Sequence, residues 1–162
     1  MAALTGLRIG EVLAMRWHNL DPETGRLLLP DTKTGRRWHD LPAPAMAVLD
    51  GLPRWSAWCF TATGRAPVAY KSARQCFADA AKAAGIADAR LHDLRRTVAT
   101  RAASMGASVF VLRDMLGHKT VAMAERYARA VDDPVREARE RVGAEIAGAM
   151  AGRRAEVAEI AR

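Results

Sequence analysis

The chain reads as a mainly α domain with a small antiparallel β-sheet, an α+β fold. Three observations lead there. Apolar residues recur at helical spacing over 71–84, 92–105, 108–116 and 120–130, stretches separated by Gly85, Gly106 and Gly117. One segment, Arg26 to Leu41, reads instead as a β-hairpin, with Lys33, Thr34 and Gly35 at or beside its turn. Half of the 162 residues are hydrophobic, enough for one real core in a chain too short for two comfortable domains.

The elements follow in order. A helix is expected from Thr5 to about Trp17, with Leu7, Val12 and Leu13 as apolar positions. Turn formers fill Asp21 to Gly25, and the apolar run Leu27 to Leu29 opens the hairpin. Pro42, Pro44 and Pro53 bracket a short helix around Met46 to Leu49, and Trp55 to Pro67 is an aromatic, glycine-containing connection. After the four helices, composition shifts to Ala, Arg and Glu. Asp133-Pro134 reads as an N-cap followed by proline at the first helical position. Val135, Ala138, Val142, Ile146 and Ala149 then form an apolar stripe, and Gly148 and Gly152 weaken its continuity, so that the last dozen residues read as a frayed helix or a tail. The division expected is 1–132 for a main domain and 133–162 for a C-terminal helix or tail.

Charge and cysteines narrow the class. Lys and Arg exceed Asp and Glu by 25 to 18, a net +7 that favours a polyanionic partner. Cys59 and Cys76, in WCF and QCF, make neither a disulfide framework nor a four-cysteine zinc site. Both are expected as buried free thiols in a reducing cytoplasm. No apolar run approaches the ~18 residues of a membrane span, and the first residues lack the basic and apolar regions of a secretory signal.

Six residues form one chemical set: Arg8, Lys33, His92, Arg95, His118 and Tyr127, within LTGLRIGEVLAMRW, DTKTGRRWHDLP, LHDLRRTVATRAASMG and LGHKTVAMAERYA. Guanidinium forks bind two oxygens of a phosphodiester at once and stabilise charge gathering on them during attack. Glu11, one turn after Arg8, is placed to orient it, and Arg95 follows His92 by one turn on the same helix face. A lysine in a turn suits protonation of a departing oxygen, and histidine both accepts and donates protons near neutrality. Tyrosine, with an ordinary pKa of about 10, becomes a nucleophile when neighbours assist its deprotonation. Taken singly, each of these residues is as well explained by a surface charge, a cap or a packed ring. Arg16, Arg36, Arg37, Arg96 and Arg101 are read as solvated surface arginines, Tyr70 as structural, and His18 and His39 as without a role. The spacing of a P-loop is absent, so nucleotide hydrolysis is not indicated.

Together, in this order and these contexts, the four strings resemble the catalytic domain of tyrosine recombinases, the phage integrase family, from about Leu4 to Tyr127. The resemblance implies that Arg8, Arg95 and His118 hold the scissile phosphate of double-stranded DNA. It implies Lys33 as general acid, His92 as an aid to proton transfer, and Tyr127 as the nucleophile forming a 3′-phosphotyrosyl bond. Glu11 matches the acidic position supporting the first arginine. Bond energy kept in that linkage requires no nucleotide cofactor, and no metal is expected. Similar proteins act as tetramers on DNA, in which a segment after the tyrosine packs on a neighbouring protomer. The stretch 134–150 suits that role or a fold back onto its own domain. Family members usually carry an N-terminal clamp domain and further helices before the first motif, whereas here only seven residues precede Arg8. The expectation is therefore a truncated product or fragment. Three alternatives stay open: a non-catalytic DNA-binding remnant or regulator, a plain helix-turn-helix module, and a type IB topoisomerase.

Overall fold

The computed structural model describes residues 1–30, 35–128 and 134–160, with backbone alone at 134, 135, 137 and 152–160. Eight helices and one three-stranded sheet occupy them: α1 (Ala2–Thr5), α2 (Ile9–Leu13), a 3-10 turn (Trp17–Asn19), β1 (Leu20–Asp21), β2 (Arg26–Leu29), β3 (Arg37–Asp40), α3 (Ala43–Asp50), α4 (Tyr70–Ala83), α5 (Leu91–Ser104), α6 (Val109–Leu116), α7 (Val121–Ala128) and α8 (Pro134–Ile160). The sheet runs β1-β2-β3, all antiparallel, with Leu27 opposite His39 and Leu29 opposite Arg37. The mainly α, small-sheet architecture and the antiparallel pairing of the two hairpin strands stand as read, while Lys33 and Thr34 of the expected turn lie outside the described residues. α4 to α7 each fall within two residues of the expected bounds.

The expected helix over residues 5–17 is broken. Gly6 closes α1 at φ 68°, and the chain restarts as α2 only at Ile9. A Cβ on Gly6 would lie 3.2 Å from both Leu116 and Val98, so the turn is pressed against α5 and α6. A left-handed, closely packed glycine ends a helix whatever the apolar spacing around it. The break leaves Arg8 on extended backbone, φ −64° and ψ 143°, at the head of α2.

Apolar burial divides into two clusters. Leu7, Val12, Met15, Leu27, Leu29, Leu41, Leu49 and Cys59 gather between the first helices, the sheet and α3. Ala99, Ala103, Leu112, Leu116, Ala124 and Tyr127 gather between α5, α6 and α7. Leucines buried this fully each contribute about 2 kcal/mol relative to exposure. Arg95 lies at the junction of the clusters, bonded to both sides as described below.

Two further readings are corrected. Cys76 is exposed, because α4 buries only Ala81 of its fourteen residues; Cys59 is buried as expected. α8 continues past Gly148 and Gly152 as a single 27-residue helix instead of fraying. Among the described residues, no helix is long and apolar enough to cross a membrane.

Candidate active site

The helices that carry the two candidate arginines, Arg8 at the head of α2 and Arg95 within α5, start with the same local device. At the head of α2, Glu11 accepts the Arg8 backbone N–H through Oε2 at 2.8 Å; at the head of α5, Asp93 accepts the Arg90 N–H through Oδ2 at 2.8 Å. A carboxylate reaching back from the third helical position satisfies an otherwise unpaired donor and fixes where the helix starts. Glu11 also accepts Nη1 of Arg8 at 3.1 Å through its other oxygen. Arg8 is thereby oriented while its side chain stays one-third exposed (33%).

Arg95, one turn into α5, lies on the helix face that buries Ala99 and Ala103, and is itself 2% exposed. Nη1 donates to the Gly6 carbonyl and Nη2 to the Leu116 carbonyl, each at 2.6 Å. One guanidinium therefore ties the turn before Arg8 to the end of α6. Two of its five N–H groups are engaged this way. Burial, and then the charge of Arg8, push its pKa down to about 10, so it remains a cation at neutral pH.

His118 follows the left-handed Gly117 (φ 61°) that closes α6; the Gly117 and His118 amides donate back to Asp114 and Arg113 at 3.1 and 2.9 Å. That turn directs the imidazole inward, to 8% exposure, against Tyr127 on α7. The two rings stack, with centroids 6.1 Å apart and planes 17° from parallel. His118 Nδ1 is buried with no hydrogen-bond partner among the described residues. Burial first, then Arg95, Arg126 and Arg8, push the imidazole pKa down to about 4, so His118 is neutral at pH 7. Tyr127 is 6% exposed, with Arg126 over its ring at 5.4 Å.

Arg8, Glu11, Arg95, His118 and Tyr127 thus come together from α2, α5, α7 and the α6–α7 turn. His92 is exposed at the start of α5 and lines a groove of about 470 Å³ with Tyr70, Arg74, Phe77 and Arg90. Among the described residues, no hydrogen bond joins it to the group. Lys33 lies outside the described residues. Nor does any group of three or more His, Cys, Asp or Glu side chains gather as metal ligands among them.

Two neighbours of the site are buried against the expectation from sequence. Arg37, taken as a solvated arginine, has a side chain only 16% exposed, and its Nη2 donates to Glu11 Oε1 at 3.4 Å. His39, taken as without a role, is 7% exposed, with Nδ1 3.4 Å from Arg37 Nη1. Burial, then the Arg37 charge, hold its pKa below the ordinary value. The signal was strand alternation. Residues 37 and 39 share one face of β3 while Trp38, 48% exposed, and Asp40 share the other. Hydropathy points Trp38 inward and so selects the wrong face.

The Phage integrase family profile matches residues 1–133. The shufflon-specific DNA recombinase of Escherichia coli is 31% identical over 133 residues, covering 78% of this chain and 32% of that protein. Tyrosine recombinase XerD of Mycobacterium tuberculosis is 30% identical over 145 residues, covering 82% of this chain and 47% of that protein. The crystal structure of XerA recombinase superposes with a TM-score of 0.70 at 22% identity, over 86% of this chain and 53% of that one, a likeness of fold. The chain spans less than half the length of these two curated relatives. With a family match across most of its residues, the chain belongs to the phage integrase family.

Proposed function

We propose that the chain carries the catalytic centre of a DNA strand-breaking and rejoining enzyme, a site-specific tyrosine recombinase acting on double-stranded DNA. One observation carries the reading: two arginines, a neutral histidine and a tyrosine, far apart in sequence, share one largely buried site. The Tyr127 Oη attacks the scissile phosphorus, and the bond from phosphorus to the 5′ oxygen breaks. This leaves a 3′-phosphotyrosyl linkage and a free 5′ hydroxyl. The phenol proton leaves through His92, and the departing oxygen takes a proton from Lys33; both assignments come from the family resemblance. Arg8 and Arg95 supply fixed positive charge to the non-bridging oxygens, where preorganised donors act most strongly. His118, neutral at pH 7 in the DNA-free protein, serves there as a hydrogen-bonding group. Attack by the 5′ hydroxyl of another strand reverses the chemistry and rejoins DNA.

A second reading, DNA occupancy without cleavage, draws on the burial of Arg95 (2%) and Tyr127 (6%), since both must gain access to a phosphate before reacting. The two readings separate in one assay. Denatured mixtures of the protein with supercoiled plasmid bearing the DNA beside its gene should contain covalent protein–DNA adduct. DNA binding with no adduct at any incubation time would favour occupancy alone.

Assembly belongs to the same proposal. Val142, Ile146 and Met150 on α8 are each more than half exposed and give the segment from 133 onward an apolar edge suited to a second copy. Light scattering on the DNA complex should show more than one protomer. The exposed Cys76 suits a reducing cytoplasm.

A further inference from the structure

We propose that Arg37 is a positioning residue for this centre: it holds the Arg8–Glu11 pair at a fixed spacing from the turn that carries His118. The proposal rests on the reading of the site as one for phosphodiester chemistry. Arg37, on the inner face of β3, meets its strand neighbour His39 and two other parts of the fold, Glu11 and the Gly117 turn. Its Nη2 donates to Glu11 Oε1 at 3.4 Å, the same oxygen that accepts Arg8 Nη1 at 3.1 Å. Its Nη1 lies 3.4 Å from His39 Nδ1. The guanidinium also lies against the backbone of Gly117, where an added Cβ would fall 2.6 Å from Nη2 and 2.7 Å from Nε. Gly117 is thus held to glycine twice, by its positive φ and by this arginine.

The same geometry argues against direct contact with a phosphate. Both terminal nitrogens face protein partners, and Nε is buried with no hydrogen-bond partner among the described residues. A phosphate oxygen reaches Nε only if the Gly117 turn moves. Arginine suits the role because a planar fork can meet Glu11 and His39 at its two tips while lying flat on a glycine. A lysine ammonium is a single point of charge on a flexible stem. With Arg37 in place, one carboxylate sets two guanidiniums, and the second of these sets the height of the turn before His118.

Two measurements on the full chain test this. The first compares wild type, Arg37→Gln, Arg37→Lys, Glu11→Gln and the double variant Glu11→Gln/Arg37→Gln in single-turnover covalent attachment at saturating DNA. Attachment should slow by about tenfold or more in both Arg37 variants, with DNA affinity within roughly threefold of wild type. The double variant should be no more than about twofold slower than the slower single one, as for residues acting through each other. Weaker DNA binding with an unchanged rate at saturation would make Arg37 a DNA contact and overturn the proposal, as would additive losses or full rescue by lysine.

The second measurement needs no cleavage: the NMR signals of the His118 ring, which sense its stack on Tyr127, in the DNA-free protein. They should move in both Arg37 variants, while those of the exposed His18 stay in place. An unmoved His118 signal in a folded variant overturns the proposal even if the wild type cleaves DNA. A moved signal in a protein that forms no adduct upholds the positioning role and counts against the recombinase reading instead. Should Arg37→Gln not fold, Arg37→Lys, which keeps the charge, carries both tests.

Discussion

Arg8 and Arg95 have equivalent places in the proposed chemistry, yet their surroundings demand losses of stability of very different size. Replacing Arg95 by Met, similar in length and without charge, strips the Gly6 and Leu116 carbonyls of the donors they meet at 2.6 Å. A buried carbonyl left without a partner costs roughly 1–3 kcal/mol, so two cost about 2–6. Removing a buried cation returns part of this, because taking that charge out of water is unfavourable. The net loss should be about 3 kcal/mol. For a domain of this size that is a fall in Tm of roughly 9 °C, at about 3 °C per kcal/mol. Arg8→Met removes an ion pair whose arginine is 33% exposed and whose carboxylate keeps Arg37 as a partner. It should cost about 0.5 kcal/mol, or roughly 1–2 °C. Thermal melts of the two variants beside wild type decide the matter. Equal shifts, or an Arg95→Met protein melting within about 2 °C of wild type, would refute the view that Arg95 joins the two cores. The contrast bears on activity too, since lost cleavage by an Arg95 variant must be read at a temperature where it is folded.

Other consequences follow from the same geometry. Gly117→Ala places a side chain at φ 61° against Arg37 and should destabilise by about 1–2 kcal/mol or more; a melt matching wild type would contradict that packing. The His118 pKa of about 4, below the ordinary 6.5, means that the unfolded chain binds a proton in this interval that the folded chain refuses. Stability should therefore be full above pH 6.5 and fall as pH drops toward 4, and the fall should be smaller in His118→Gln. Urea midpoints at several pH values measure this, and identical slopes in the two proteins would exclude His118 as the cause. Cys76 should react with a thiol reagent in the native protein, whereas Cys59, buried and with its thiol pushed up to about 11, should react only after unfolding. Two labels on the native chain would contradict this burial.

How far the sequence carries the fold depends on whether a local signal decides the outcome. Gly85, Gly106 and Gly117 each adopt positive φ, and they mark the ends of helices whose limits were readable from spacing alone. Gly6 is the same residue type with the same conformation, but apolar spacing runs straight through it. Its role comes from Leu116 and Val98, more than ninety positions away. Arg37 and His39 show the same limit in the site. Alternation says that they share a face of β3, while only the packing of Glu11 and Gly117 says that this face is the inner one. The residue types, order and contexts brought out Arg8, Arg95, His118 and Tyr127. What they could not bring out is that Arg95 is as much a structural tie as a charge, or that His118 is held neutral.

The central claim is that Tyr127 forms the covalent bond to DNA, and the most direct measurement is the identity of the linked residue. Adduct trapped on a nicked DNA duplex, digested with nuclease and protease and sequenced by mass spectrometry, should carry the phosphonucleotide on the peptide containing Tyr127, and Tyr127→Phe should yield none. Nucleotide on Tyr70, 55% exposed on α4, or an undiminished adduct with Tyr127→Phe, would contradict the account.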